Sequence, residues 1–250
     1  MIRRTVVTIV VAALLCTATD SALAGEPICG DVNASGEVTA GDALLVLQKA
    51  VGQSVELECP APATPLQTGQ TTCYKNDSLK NCAGTGQDGE LQKGVPRSFA
   101  DNGDGTITDN ATGLTWEKLS KDDSIHDKDR FFTWANAFAV KIAELNADRF
   151  AGHNDWRLPN LFELETLLNI DAAKIGPDTF DEFDQNCSAI CTVLSCSCIE
   201  WSASSLYWSS STYQKNKLLA WGVNFNDGIV RAADKGTGSA HHVRAVRGGL

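Results

Sequence analysis

The chain has 250 residues, 21% of them charged, and a formal net charge of −10. That acidic balance argues against nucleic acid and against an anionic membrane surface as general partners, since both repel excess negative charge. Nine cysteines point instead to an exported protein in a compartment that permits disulfides.

Residues 1–24 read as an export signal. Arg3 and Arg4 form a positive start, residues 5–16 an apolar core, and Ala22-Leu23-Ala24 a small-x-small cleavage site before Gly25. The apolar run is too short to span a bilayer. No later segment has the length and hydropathy of a transmembrane helix. Leu15 precedes Cys16 where lipoprotein processing prefers a small residue, which argues against a lipid anchor. Cleavage after Ala24 would yield a secreted or periplasmic chain. Residues 1–24 carry two arginines and one aspartate, so their removal leaves 19 basic and 30 acidic residues, a net charge of −11.

Region 25–60 contains Asp31-Val-Asn-Ala-Ser-Gly-Glu-Val-Thr-Ala-Gly-Asp42, which has the spacing of a calcium-binding loop. Asp31, Asn33 and Ser35 supply oxygens at loop positions 1, 3 and 5. Gly36 makes the sharp turn, Glu37 offers its main-chain carbonyl, and Asp42 closes the loop. Ca²⁺ takes six to eight oxygens, and this spacing lets one short segment wrap it. Ser35 and Asp42 are weaker than the usual ligands at their positions, which suits millimolar extracellular calcium better than cytosolic sensing. A polar Asx-rich turn accounts for the same residues without an ion. Leu44, Leu47 and Val51 then share one face of a short helix that Gly52 ends. Cys29 and Cys59 bracket the unit, and a disulfide clasp plus an ion would offset its small core.

This loop-plus-helix unit resembles one repeat of a type I dockerin, the module that docks into cohesin domains of secreted assemblies. The resemblance implies a cohesin-like protein partner. A dockerin has two repeats, and no second copy is found. Aligning Asp104-Gly105 on loop positions 5 and 6 puts Ala100 at position 1, so residues 101–109 fit a hairpin turn better.

Residues 61–72 are rich in Pro and Thr and read as a linker. Residues 73–97 read as an irregular lead-in tied by Cys73 and Cys82. From 98 to 250 the pattern is α+β. Residues 106–108 and 114–116 suggest short strands around a turn at 110–113. Thr133 can cap a helix with Trp134, Phe138, Ile142 and Leu145 on one face. Asn160 and Glu163 form a capping-box pair before a second helix bearing Leu161, Leu164, Leu167 and Leu168. Strands are expected at 206–211, 220–225 and 242–247, with a tight type I′ turn at Asn226-Asp227-Gly228. The acidic run 121–129 reads as a solvated loop. Two helices, a late antiparallel sheet and a long cysteine-bearing loop define a single α+β domain.

Cys187, Cys191, Cys196 and Cys198 fit two local disulfides. Cys196 and Cys198 are too close to pair easily, so each would join Cys187 or Cys191, in either order. A zinc cluster is the alternative, although the spacing is not that of a recognised zinc knuckle.

Several ordered segments, Phe99–Asp109, Thr112–Trp116, Thr133–Ala137, Ala151–Asn160, Tyr207–Ser210, Trp221–Gly228 and Val243–Gly249, together resemble the Lcl C-terminal domain of bacterial exported proteins. The resemblance implies a C-type lectin-like fold and an adhesin-like role in binding a glycan or cell-surface ligand. It implies no catalytic residue set. Trp208 and Trp221 become candidate sugar-stacking rings, though aromatics at strand spacing are more often core. Asn224, Asn226 and Asp227 become candidate ligands of a sugar-binding calcium, though a turn explains them too.

Asp155-Trp-Arg-Leu-Pro159 reads as a buried corner locked by charge-assisted hydrogen bonds. Arg231, Lys235, His241, His242, Arg244 and Arg247 could favour an anionic glycan or line a solvated strand edge. No nucleophile elbow or metalloprotease cluster is present. A formylglycine-generating or hydrolytic enzyme remains the competing class. The reactive cysteines of formylglycine-generating chemistry conflict with cysteines committed to disulfides.

Overall fold

The computed structural model describes residues 65–76, 78–171 and 177–248, together with Ala43, Leu44, Leu47 and Gln48, which are helical. The calcium loop, Cys29 and Cys59 lie outside the described residues. The chain divides into two compact units, Met1–Thr64 and Pro65–Leu250.

The second unit begins inside the segment that composition suggests is a linker. Thr71 and Thr72 hydroxyls hold the Asp171 carboxylate, and Ile170 N donates to Thr68 O at 3.2 Å. Leu66 forms a parallel bridge to Val95. The lead-in that follows has regular structure. Strands β1 (Cys73–Lys75) and β2 (Ser78–Lys80) pair antiparallel, and helix α1 (Asp88–Leu91) packs against β1. The expected Cys73–Cys82 disulfide clips this hairpin.

Four antiparallel strands, in the order β11-β5-β4-β3, form the first sheet of the domain. They are β3 (Phe99–Asp101), β4 (Thr106–Asp109), β5 (Leu114–Glu117) and β11 (Val246–Gly248). The β3–β4 hairpin is turned by local hydrogen bonding. Asp101 Oδ1 accepts from Gly103 N at 2.9 Å and Asp104 Oδ1 from Thr106 N at 3.1 Å. Gly103 and Gly105 supply the positive φ the turn needs.

A short pair joins β6 (Phe132–Thr133) to β10 (Ala240–His241). The third domain sheet has the order β7-β8-β9, from β7 (Tyr207–Thr212), β8 (Leu219–Val223) and β9 (Val230–Asp234). The stretch 242–247, expected as one strand, does not pair continuously. Its ends serve different sheets, and residues 243–245 between them form no ladder.

Helix α2 runs as Trp134–Asn136 in α form, Ala137–Ile142 in π form and Ala143–Ala147 in α form. Thr133 caps it as expected, its side chain accepting from Asn136 N at 3.2 Å. The wider π turn shifts the register of the buried face. Ala137, Lys141, Ile142 and Leu145 are buried while Phe138, expected inside, is exposed. Helix α3 (Leu161–Glu165) carries the full Asn160–Glu163 capping box. Leu164 and Leu167 enter the core from it.

Two apolar clusters sit on opposite faces of the β7-β8-β9 sheet, as the period-2 alternation of strands requires. Tyr207 and Val223 belong to one, with Trp116, Leu164, Phe183 and Phe225. Trp208 and Ala220 belong to the other, with Leu145, Trp156 and Val243. No helix among the described residues is long and apolar enough to cross a membrane.

Candidate functional site

The densest chemistry in the domain is internal. Glu117, at the end of β5, has no exposed surface. Its Oε1 accepts from Lys141 Nζ and contacts His126 Nδ1 at 2.7 Å, and its Oε2 accepts from Ala245 N at 3.0 Å. Lys141 Nζ also donates to Ile125 O at 2.6 Å. Burial alone would raise the Glu117 pKa. The opposing Lys141 and His126 outweigh it and hold the carboxyl at about 2. Burial lowers the Lys141 pKa against the pull of Glu117.

Arg244 lies beside this pair and is fully buried. It donates to Glu117 O at 2.8 Å and to Cys198 O at 2.5 Å, stacks over Phe183 at 5.2 Å, and forms no ion pair among the described residues. Glu117, Lys141 and Arg244 thereby join β5, α2, the 118–131 loop and the chain before β11. Every oxygen of the Glu117 carboxylate is engaged, so the cluster acts as an internal strut.

The basic C-terminal run is therefore not a continuous anion patch, though Arg231 on β9 and Arg247 on β11 lie on edge strands. Arg244 and His242 are buried, while Arg247 pairs with Asp155 at 2.8 Å. The acidic run 121–129 is likewise built into the protein. Ile125 and Asp127 are buried, and Asp127 accepts from Asp123 N and Asp129 N, both at 2.7 Å. Lys128 at its end bridges Asp129 and Glu200. Local turn bonding engages the Asp122 and Asp127 carboxylates, while Lys121, Asp123 and Asp129 stay exposed.

The 155–159 corner carries charge-assisted hydrogen bonds around a buried Trp156, each to a partner outside the corner. Asp155 accepts from Arg247. Arg157 forks onto Glu163 through two 2.7 Å bonds and adds a bond to Gly248 O at 2.9 Å. Trp156 between them is buried and donates to Phe150 O at 3.0 Å.

Among the expected ligand residues, Trp208 is wholly buried and donates its Nε1 to Phe132 O at 2.9 Å. Trp221 is half-buried on β8, with the Tyr213 ring edge-on at 4.8 Å between centroids. Asn224 is buried, donating to Ala203 O at 3.1 Å and accepting from Asn226 N at 2.7 Å. Asp227 accepts from Ile229 N at 3.1 Å and pairs with Arg231. The connection spans 224–229, and Gly228 alone has a positive φ of 64°. It is thus wider than the two-residue type I′ turn, which needs positive φ at two positions. Past the other end of β9, Lys235 Nζ lies 4.1 Å from the Trp134 ring centroid.

The cysteine loop closes as two disulfides, Cys187–Cys198 and Cys191–Cys196. This assigns the order that sequence spacing leaves open. Both clips bear on the core cluster through Cys191, Cys196 and Cys198.

Sequence reasoning does not reach Glu117 and Lys141, and it assigns Arg244 to a basic surface run and His126 to a solvated loop. The signal for three of them was a lone charge inside an apolar run, as in Leu114-Thr-Trp-Glu117, Val140-Lys-Ile142 and Val243-Arg-Ala-Val246.

These features define a disulfide-bonded α+β domain dominated by short antiparallel sheets. Its residues 105–247 match the Lcl C-terminal domain family over more than half of the chain, and the chain belongs to that family. No curated protein sequence matches it. The disulfides are consistent with a secreted or extracellular protein.

Proposed function

We propose that the protein is an exported, non-enzymatic binding protein whose lectin-like C-terminal domain recognises a glycan or a cell-surface partner. The supporting observation is the half-buried Trp221 with Tyr213 edge-on beside it, at the end of the β7-β8 hairpin. An aromatic face held edge-on by a second ring is a rigid platform for the apolar face of a sugar. Trp208 has no accessible face and is left to the core. Asn224 and Asp227 serve the loop that carries β8 into β9. In this reading Ca²⁺ belongs to the N-terminal loop, held by Asp31, Asn33, Ser35, Asp42 and the Glu37 carbonyl, as a stabilising clip.

A glycan array probed with the full chain and with Trp221→Ala tests the reading. Binding by the wild type that is lost in the variant supports it. A blank array for the wild type sinks the glycan and leaves a protein ligand, while glycan binding unchanged in the variant removes Trp221 from the site. Calorimetric calcium titration of the wild type against Asp31→Ala tests the clip, with heat expected only from the wild type. A cohesin-like partner remains the competing reading for residues 25–60, and a pull-down with a cohesin domain would reveal it.

A further inference from the structure

The two disulfides of the 187–198 loop are in contact with each other. Cys198 Sγ lies 3.7 Å from Cys191 Sγ and 3.7 Å from Cys196 Sγ, each belonging to the other bridge. The sulfurs of Cys187, Cys191 and Cys198 all fall within 4.8 Å of one another. Four thiolates around Zn²⁺ at about 2.3 Å would stand about 3.8 Å apart, by tetrahedral geometry. The Cys198–Cys191 and Cys198–Cys196 spacings already match that figure. The two bonded pairs must separate from the roughly 2.05 Å of a disulfide, and Cys196, which lies outside the close group of Cys187, Cys191 and Cys198, must turn toward Cys187.

The surroundings favour negative charge at the sulfurs. Arg244, permanently cationic and fully buried, donates to the Cys198 carbonyl, and its Nε has no hydrogen-bond partner. The Ser197 hydroxyl, between Cys196 and Cys198, is also buried without a partner. A metal-bound thiolate carries charge and accepts hydrogen bonds, and these are the unpartnered buried donors on and beside the loop that could turn to meet it.

We infer that Cys187, Cys191, Cys196 and Cys198 form a zinc site when reduced, so that the loop has two closed states, a double disulfide and a metal tetrathiolate. The reductant is a dithiol. One of its thiolates attacks the exposed Cys187 Sγ, the Cys187–Cys198 bond breaks, and its electron pair leaves on Cys198. The second thiol of the reductant then closes its own disulfide and releases Cys187. Cys198 thiolate, 3.7 Å from both sulfurs of the second bridge, attacks one of them, forming a new disulfide with it and releasing the other as thiolate. A second dithiol reduces that new bridge in the same two steps. Two dithiols are oxidised and four cysteine thiols formed. Zn²⁺ binds them as thiolates and releases their four protons. The site lies outside the proposed glycan platform and stands or falls separately from it.

Differential alkylation of the full chain tests the inference without any substitution. The protein is reduced anaerobically with a phosphine, then treated with iodoacetamide with or without one equivalent of Zn²⁺, and the labelled cysteines are mapped by mass spectrometry. Protection of these four cysteines by zinc is expected. Equal labelling with and without zinc overturns the inference. Cobalt substitution gives a second readout, with the visible bands of a tetrahedral tetrathiolate saturating at one Co²⁺ per chain. Those bands should survive in Cys73→Ser/Cys82→Ser and vanish in Cys187→Ser/Cys191→Ser. Their persistence in the latter would place the metal elsewhere and overturn the assignment.

Discussion

Lys141 donates its ammonium to Glu117 Oε1 at a point where the two side chains are 1% and 0% exposed. Removing two charges from water is expensive, and the pair survives because His126, Ala245 N and Ile125 O complete its hydrogen bonds. Truncating one partner strands the other. Lys141→Met should therefore destabilise the domain by about 3–5 kcal/mol, measured by urea unfolding. The double variant Lys141→Met/Glu117→Leu should recover much of that loss, because no buried charge is left uncompensated. A double variant no better than the single would show that the pair matters for shape and not for charge.

Acid should weaken the fold in two overlapping stages. His242 is buried against Phe131 and Tyr207, neither ring nitrogen has a hydrogen-bond partner, and burial lowers its pKa from 6.5 to about 4. The unfolded chain then binds the proton more readily than the folded one. Stability is fully present above 6.5 and declines as pH falls toward 4, by up to roughly 3 kcal/mol. Glu117 adds a second loss as pH falls from 4.5 toward about 2, since its folded carboxyl is held low by Lys141 and His126. Urea midpoints across this range should fall steadily below 6.5. His242→Phe should flatten the upper part of the curve and leave the lower part intact.

Local spacing carried the features that need no distant partner. Thr133 and the Asn160–Glu163 box cap helices from within one turn, and Cys73–Cys82 closes over nine positions. The charged centre was hidden because its partners are remote. Arg244 reaches the Glu117 carbonyl across 127 positions, and Lys141 reaches Glu117 across 24. A charge run such as 121–129 looks solvated until the buried carboxylate that recruits His126 is in place. The π turn at Ala137–Ile142 misdirected Phe138 for a related reason. Helical periodicity assumes a constant register, and one wide turn breaks it.

Ile190 adopts a left-handed backbone, φ 60°, inside the cysteine loop, with 86% of its side chain exposed. A β-branched residue meets its own backbone there, at a penalty of roughly 1–2 kcal/mol, and this one gains almost no burial in return. Glycine avoids the clash but raises the entropy of the unfolded chain by about 0.5–1 kcal/mol. Ile190→Gly should therefore be neutral to stabilising by about 1 kcal/mol in thermal unfolding of the oxidised protein. A clear loss of stability would show that the left-handed backbone at Ile190 is not a net cost to the fold.

Arg157 and Glu163 make the clamp that sets the start of α3. The Glu163 carboxylate accepts the Arg157 fork and also the Asn160 main-chain N at 2.8 Å, while Asn160 accepts from Glu163 N at 2.9 Å. One carboxylate thus closes a capping box and ties the helix to the strand-like segment that bridges β11 at Val246. Arg157 is partly exposed, so the ion pair itself contributes little after solvent screening. The cap should dominate. Glu163→Ala is expected to cost about 1–2 kcal/mol, Asn160→Ala about 1 kcal/mol, and the double variant less than their sum, because the two residues serve the same box. Arg157→Lys should cost less than Glu163→Ala, since it loses the fork and keeps the charge. Urea unfolding of the four variants at low and high salt separates the parts. The Arg157→Lys difference should not change with salt, because Lys keeps the charge, and the Glu163→Ala loss should shrink only by its small ionic part. A Glu163→Ala loss that vanished in high salt would show the clamp to be electrostatic instead.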